Sequence, residues 1–328
     1  MESLNRTESF GFITSKENSV LGEFVRAACY GVTGSMVLIN ITIASAFLVQ
    51  KIRRGLRLNP SCLLVLNLIF ADAFLGTVLF LLTGRLGIVP QYCGIWSGVT
   101  YLATIGSRIA LINVVLDRFI AIVYSLHYRG WMTKTRSKGM LVCGWSLPVA
   151  GLVYGIALND WNPGPARRCS DIHNISMFLR YVWVPSLIIF NLSVIIIQCA
   201  LYLHLRRQDA RKATSYSHKV ARILFWIVTP TCVALLSYDI MVVVIVPRVN
   251  WILRSVYSVL LIFVLFSFLL NPVVYSYTTD HIKKPVSDLC KDIKVWLCPS
   301  REPTSCAPSV FVIEPRYLIP THPRRFSV

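Results

Sequence analysis

Seven apolar stretches, each long enough to cross a membrane, leave this chain few folds to choose from. They lie near 27–49, 61–83, 93–123, 139–158, 178–204, 220–246 and 254–278. A helix needs about 20 mostly apolar residues to span a hydrocarbon core, and only helices or closed barrels satisfy their own backbone hydrogen bonds there. The expected fold is therefore an all-α integral membrane protein, a bundle of seven transmembrane helices. Residues 1–26 precede the bundle at 27–279, and a short amphipathic helix and disordered tail follow at 280–328. No apolar core for a cleavable signal peptide is visible in residues 1–22, so the first span is expected to direct insertion.

Charge placement sets the expected orientation. Of 33 Lys and Arg, 23 fall on one set of segment ends, 9 on the other, and Arg108 alone lies inside a span. Lys51, Arg53, Arg54 and Arg57 follow the first span, Arg129, Lys134, Arg136 and Lys138 the third. Arg206, Arg207, Arg211 and Lys212 follow the fifth, and Lys283, Lys284, Lys291 and Lys294 the seventh. The basic side stays cytoplasmic, which puts the N-terminus outside and the tail inside. The +18 formal charge thus records topology in a lipid bilayer and argues against a nucleic-acid partner. No repeat suggests a transporter of two related halves. Asn5-Arg6-Thr7 is a glycosylation triplet on the expected outer side.

Polar residues inside the spans carry the functional signal. Asp72 lies mid-span in NLIFADAFL, where a carboxylate is expensive and faces the bundle interior. Its bland reading is a helix-packing residue; the favoured one is a cation or proton site that changes between states. Arg108 lies ten residues before Arg118, about 15 Å deeper along one helix, too deep to snorkel easily. Two geometries are open: an ion pair or water-bridged contact with Asp72, or a turn toward the fifth and sixth helices to anchor an anionic ligand group. The 25 residue steps from Cys93 to Arg118 cover roughly 37 Å, so this helix places Cys93 outside one face of the membrane and Asp117-Arg118-Phe119 at the other. That acid–base pair has a bland reading too, a boundary salt bridge fixing helix depth. In the last span, Pro272 is expected to kink the helix, with Asn271 beside it and Tyr275 on the same inner face. Pro185 and Pro230 supply similar breaks in the fifth and sixth spans.

Cys93, the Asp117-Arg118-Phe119 triplet, Trp145, Pro185, Pro230 and the run Asn271-Pro-Val-Val-Tyr275 together resemble the rhodopsin-like family of G-protein-coupled receptors, over about residues 27–292. The resemblance implies a plasma-membrane receptor, not an enzyme, with no cofactor and no metal. Its implied partners are an extracellular ligand, a heterotrimeric G protein and arrestin. It implies a Cys93–Cys169 disulfide, and a coupling surface at Asp117, Arg118, Phe119 and Tyr275 with Arg118 restrained by Asp117 in the inactive state. It also implies a polar switch of Asp72, Ser107 and Asn271 with the Pro272 and Pro230 kinks, and palmitoylation of Cys290. Arg108 beside Ser107 argues against sodium there. The chain departs from the family pattern at several places: Phe119 for the usual Tyr, Val228 at the place of the toggle tryptophan, Ser193 for a switch tyrosine, and Phe268 for a small polar residue. Pro285 falls inside the expected surface helix.

The ligand pocket is expected from Thr100, Tyr101, Thr104, Arg180, Trp183, Tyr238, Asp239 and Tyr257, aromatic walls with a few polar groups. Ordinary helix packing is the competing reading for each. Thr100 stands where amine receptors of the family place an Asp, so no amine counter-ion is expected, and no lysine in the seventh span could form a retinal Schiff base. The spacing of nineteen residues between Asn40 and Asn59, the SLHY run and the ARKATSYSHKVARIL segment are similar to fish odorant-receptor-like sequences. The expected function is olfaction or another response to a small molecule, with a peptide, lipid or nucleoside ligand as the alternative. From other classes come a transporter or channel using Asp72 and Arg108 as a relay, and a non-signalling scaffold.

Overall fold

A computed structural model describes residues 20–54, 59–83, 93–157, 179–209, 216–244 and, in the last span, 260, 262–266 and 268–271. Its helices are α1 (Val20–Arg54), α2 (Pro60–Thr83), α3 (Cys93–Val123), the single turn α4 (Tyr128–Trp131) and α5 (Lys134–Ala157). A π-helical turn, Leu179–Trp183, leads into α6 (Val184–Asp209), and α7 (Tyr216–Val244) follows. The described residues contain no strand. The helices α1, α2, α3 and α5, and the π turn with α6, contain segments long and apolar enough to cross a membrane; Val228–Ile240 and Ile262–Asn271 are shorter apolar segments. This is a multi-pass membrane protein.

Burial is distributed as lipid contact requires. Leu38, Phe70, Val142 and Ile196 are exposed, while Asp72, Arg108, Asn191 and Asp239 are buried. A soluble bundle would reverse the two sets, because charged side chains in lipid face protein partners. Toward the Asp117 end, Leu64, Leu68, Val114, Val115, Val194, Val228 and Cys232 share one core. Toward the Cys93 end, Met36, Leu75, Ala103, Leu235, Val264 and Phe268 share another.

The chain between the first apolar stretch and the second is helical as far as Arg54. At 35 residues, α1 extends about 52 Å, well past an apolar core of about 30 Å. The extra residues are thus extra turns running to Arg54. Pro60 then opens α2, where a missing N–H is no loss, and Leu63 N–H donates to Asn59 O across 3.1 Å.

The third and fourth spans, α3 and α5, meet through glycines, the residues that let helix backbones approach closely in lipid. A Cβ on Gly98 would come 2.9 Å from Leu152 O, and one on Gly106 2.9 Å from the Trp145 ring. Trp145 also donates from Nε1 to Asn67 Oδ1 at 2.9 Å, joining α5 to α2. Trp145→Phe keeps the ring packing and leaves Asn67 without this donor. The net loss is about 1 kcal/mol, read as a lower thermal unfolding midpoint in detergent; an unchanged midpoint would contradict the role given to this bond.

The sixth span differs from expectation. Val228 is 1% exposed and packs with Leu111-side residues near the Asp117 end, whereas Pro230 is exposed on the outer face of α7. Pro230 is therefore no part of a polar core, and Val228 lies in the core toward the Asp117 end rather than at a switch beneath a pocket. The buried face of α7 runs Val228, Cys232, Leu235, Asp239, steps of four, three and four that hold one side of a helix. Asp239 is the member of that face at the level of Arg108.

Candidate functional site

At the Asp117 end of α3, adjacent residues of opposite charge emerge as the apolar run stops. Arg118 Nη2 pairs with Asp117 Oδ2 at 3.2 Å; Asp117 is 1% exposed and Arg118 21%. The other carboxylate oxygen, Oδ1, accepts from Tyr128 Oη at 2.7 Å and from Ser61 Oγ at 3.2 Å. The Ser61 and Tyr128 hydroxyls are themselves 2.6 Å apart. Asp117 is thus held by α2, α4 and its own neighbour together. Burial, and then the Asp117 charge, push the Tyr128 hydroxyl up to about 12. Tyr128 therefore remains a proton donor to the carboxylate throughout the physiological range. Phe119 faces the other way, packed with Leu201 and Leu205 of α6.

Midway along the bundle lie two further polar groups. Ser107 Oγ donates to Asp72 Oδ1, and Asn271 approaches the same carboxyl from the last span. Asp72 Oδ2 has no hydrogen-bond partner. The expected cluster of Asp72, Ser107 and Asn271 is brought together.

The Arg108–Asp72 ion pair is not formed. Arg108 Nη1 donates instead to Asn191 Oδ1 of α6 at 2.6 Å, and Asn191 Nδ2 donates to Asp239 Oδ2 of α7 at 2.5 Å. The guanidinium lies over the Phe268 ring, 5.3 Å from its centroid, a cation–π contact that gives this phenylalanine a reason to stand there. Arg108 Nε has no hydrogen-bond partner. Of the two geometries open in the sequence, the structure takes the turn toward the fifth and sixth spans, but the acid it finds is Asp239 of the chain itself. Asn191 is the residue that sequence reasoning missed. It is an uncharged amide in an apolar span, and the argument applied to Asp72 would have found it.

Several residues expected to line a pocket have structural partners. Tyr101 is fully buried, against Trp183 at 6.0 Å between ring centroids and within 3.5 Å of Ser186 Oγ; it is packing between spans. Thr100 Oγ1 donates to Trp96 O and Thr104 Oγ1 to Thr100 O, at 2.7 and 2.8 Å. Tyr238 is half-buried beside Leu235, and Asp239 is 2% exposed. Arg180 belongs to the π-helical turn, with its side chain outside the described residues. Cys93 opens α3, but its side chain and Cys169 lie outside them as well, as do Asn5, Tyr257, Pro272, Tyr275, Pro285 and Cys290.

Comparison with known proteins places this geometry. Residues 39–275 match the family described as 7 transmembrane receptor (rhodopsin family). Proteinase-activated receptor 1 of Xenopus laevis is 24% identical over 194 residues, covering 55% of this chain and 46% of that protein. The human protein of that name is 21% identical over 310 residues, or 87% of this chain and 71% of that protein. Human alpha-1A adrenergic receptor is 30% identical over 155 residues, or 44% of this chain and 32% of that protein. The chain thus spans less than half the length of the first of these relatives and about a third of the adrenergic receptor.

Proposed function

We propose a signalling function for this chain, which belongs to the rhodopsin family of seven-transmembrane receptors: it binds an extracellular ligand and activates a heterotrimeric G protein from the plasma membrane. The observation that carries this reading is the Arg118–Asp117 pair, with Ser61 and Tyr128 closing on the same carboxylate. A mere boundary salt bridge needs no such enclosure. A cation restrained by a fully engaged acid, at the end of a helix that crosses the bilayer, suits a surface uncovered on demand. The N-terminus is outside, Cys93 is joined to Cys169, and arrestin shares the coupling face.

The ligand is a small molecule without an obligatory amine. Thr100 offers a hydroxyl already donated to Trp96 O, and Asp239 is engaged by Asn191, so neither residue stands free to meet a cation. An odorant-like compound fits this chemistry. A second reading, activation by a proteinase or a peptide, is favoured by the relative aligned over 87% of the chain, a proteinase-activated receptor. A cell assay of G-protein activation against odorants, nucleosides, lipids, peptides and proteinases separates the two. Responses to neutral small molecules are expected; a response to proteinases alone would overturn the small-molecule reading. Ligand flux without G-protein activation would make the chain a transporter instead.

A further inference from the structure

The centre of the bundle holds two carboxylates and one arginine, and the arginine is bonded to neither. Asp239 is reached through the neutral amide of Asn191 on one side; Asp72, with an unpartnered Oδ2, lies on the other. We propose that Arg108, Asn191 and Asp239 form a polar clasp that holds the sixth span against the third and fifth and keeps ligand-free signalling low, and that Arg108 moves to Asp72 when the clasp opens. The proposal rests on the receptor reading above and adds its regulation.

Three physical points support it. First, the clasp is built to release. An amide bridge satisfies both charges by hydrogen bonds, yet keeps Arg108 and Asp239 an amide apart, so their direct attraction is weaker than in a contact pair. Second, release leaves the arginine with a partner, while Asp239 keeps its hydrogen bond from Asn191. A buried arginine that lost its partner in lipid would be strongly disfavoured, but Asp72 offers an open oxygen and Arg108 an open Nε. The charged groups facing Arg108 are thus Asp72 from α2 and Asp239 from α7, with Asn191 from α6 and the Phe268 ring from the last span completing its surroundings. Third, Arg108 of the clasp lies on the same helix as the Arg118–Asp117 pair. A ligand that separates α7 from α3 near Asp239 acts on the element whose far end carries the coupling residues. Two discrete partner sets for one side chain make the two-state element that coupling between distant sites requires.

The test exchanges the clasp's acid and amide. Asn191→Asp alone places two carboxylates side by side; Asp239→Asn alone removes the acid at the far end. The double exchange, Asn191→Asp with Asp239→Asn, restores both hydrogen bonds, since Arg108 donates to the new acid and the new amide donates to it as well. Each variant is read in the full chain at matched surface level, by ligand-free G-protein activation and by the distance between spin labels on non-natural residues at positions 138 and 219. Each single change is expected to lengthen that distance and raise ligand-free activation by about tenfold or more, the scale of losing one charge-assisted hydrogen bond; the double exchange is expected to restore both. Singles that match the wild type in distance, or a double exchange that restores nothing, would overturn the clasp. Should Asn191→Asp fail to reach the surface, the isosteric Asp239→Asn decides alone, with unchanged distance and activation as the overturning result. A restored distance pattern without any G-protein signal would keep the clasp and remove the receptor reading.

Discussion

Asp117→Asn is expected to raise ligand-free G-protein activation about tenfold at equal surface level. The substitution is isosteric, and the new amide oxygen still accepts from Tyr128 and Ser61, so the junction of α2, α3 and α4 keeps its shape. What goes is the charge that holds Arg118 at 3.2 Å. Exposed pairs of this kind are worth little, but here the acid is fully buried and only the arginine reaches water, which places the pair above the surface range. A loss of roughly 1.4 kcal/mol from the resting state is a tenfold population shift. Nucleotide exchange by membranes carrying the variant measures it directly. Exchange equal to wild type would mean that the pair fixes helix depth and nothing more.

The largest effect on folding is expected at Gly151. A Cβ built there falls 2.0 Å from Tyr101 Cε1 and 2.2 Å from Cδ1, inside the ring's own contact distance. Tyr101 cannot step aside cheaply, being fully buried with Trp183 edge-on to it. Gly151→Leu must therefore part α3 from α5, where Gly144 against Ile109, at 2.8 Å, and Gly98 against Leu152, at 2.9 Å, also leave no room for a Cβ. Overpacking of this sort costs about 1–3 kcal/mol or more. Most of the surface expression should be lost, and the remainder should unfold at a lower temperature in detergent. Gly151→Ala with Tyr101→Leu should recover much of it, because the smaller side chain clears the space. Wild-type expression and midpoint for Gly151→Leu would contradict the packing described for this interface.

What the sequence made legible follows from what hydropathy measures. Apolar length located the spans, and α3 begins and ends at the expected Cys93 and Val123. Asp117 and Arg118 could be paired because they adjoin on one helix, whereas Asp72 with Ser107 came from the family resemblance and not from depth. Lateral direction is another matter: depth alone could not say whether Arg108 turns toward Asp72 or Asn191, since both lie in reach of one long side chain. The sixth span shows how a motif can mislead. Pro230 was grouped with the polar core, yet the buried positions 228, 232, 235 and 239 were readable as a helical face that excludes its side chain. In α1 the basic residues after Val49 ended the apolar count without ending the helix, because Lys and Arg are good helix formers. Ser61 and Tyr128 carried no signal at all; their role depends on a chain reversal between α3 and α5 that brings Tyr128 under Asp117.

The central claim is that this chain passes a signal to a G protein through Arg118. Its most direct test is nucleotide exchange on purified heterotrimeric G proteins, driven by the full chain in lipid vesicles, with Arg118→Ala alongside. The account predicts exchange above protein-free vesicles, higher still with an activating ligand, and at least about tenfold lower for Arg118→Ala at the same incorporation. Exchange that never exceeds protein-free vesicles with any G protein or ligand, or that is indifferent to Arg118, would contradict it.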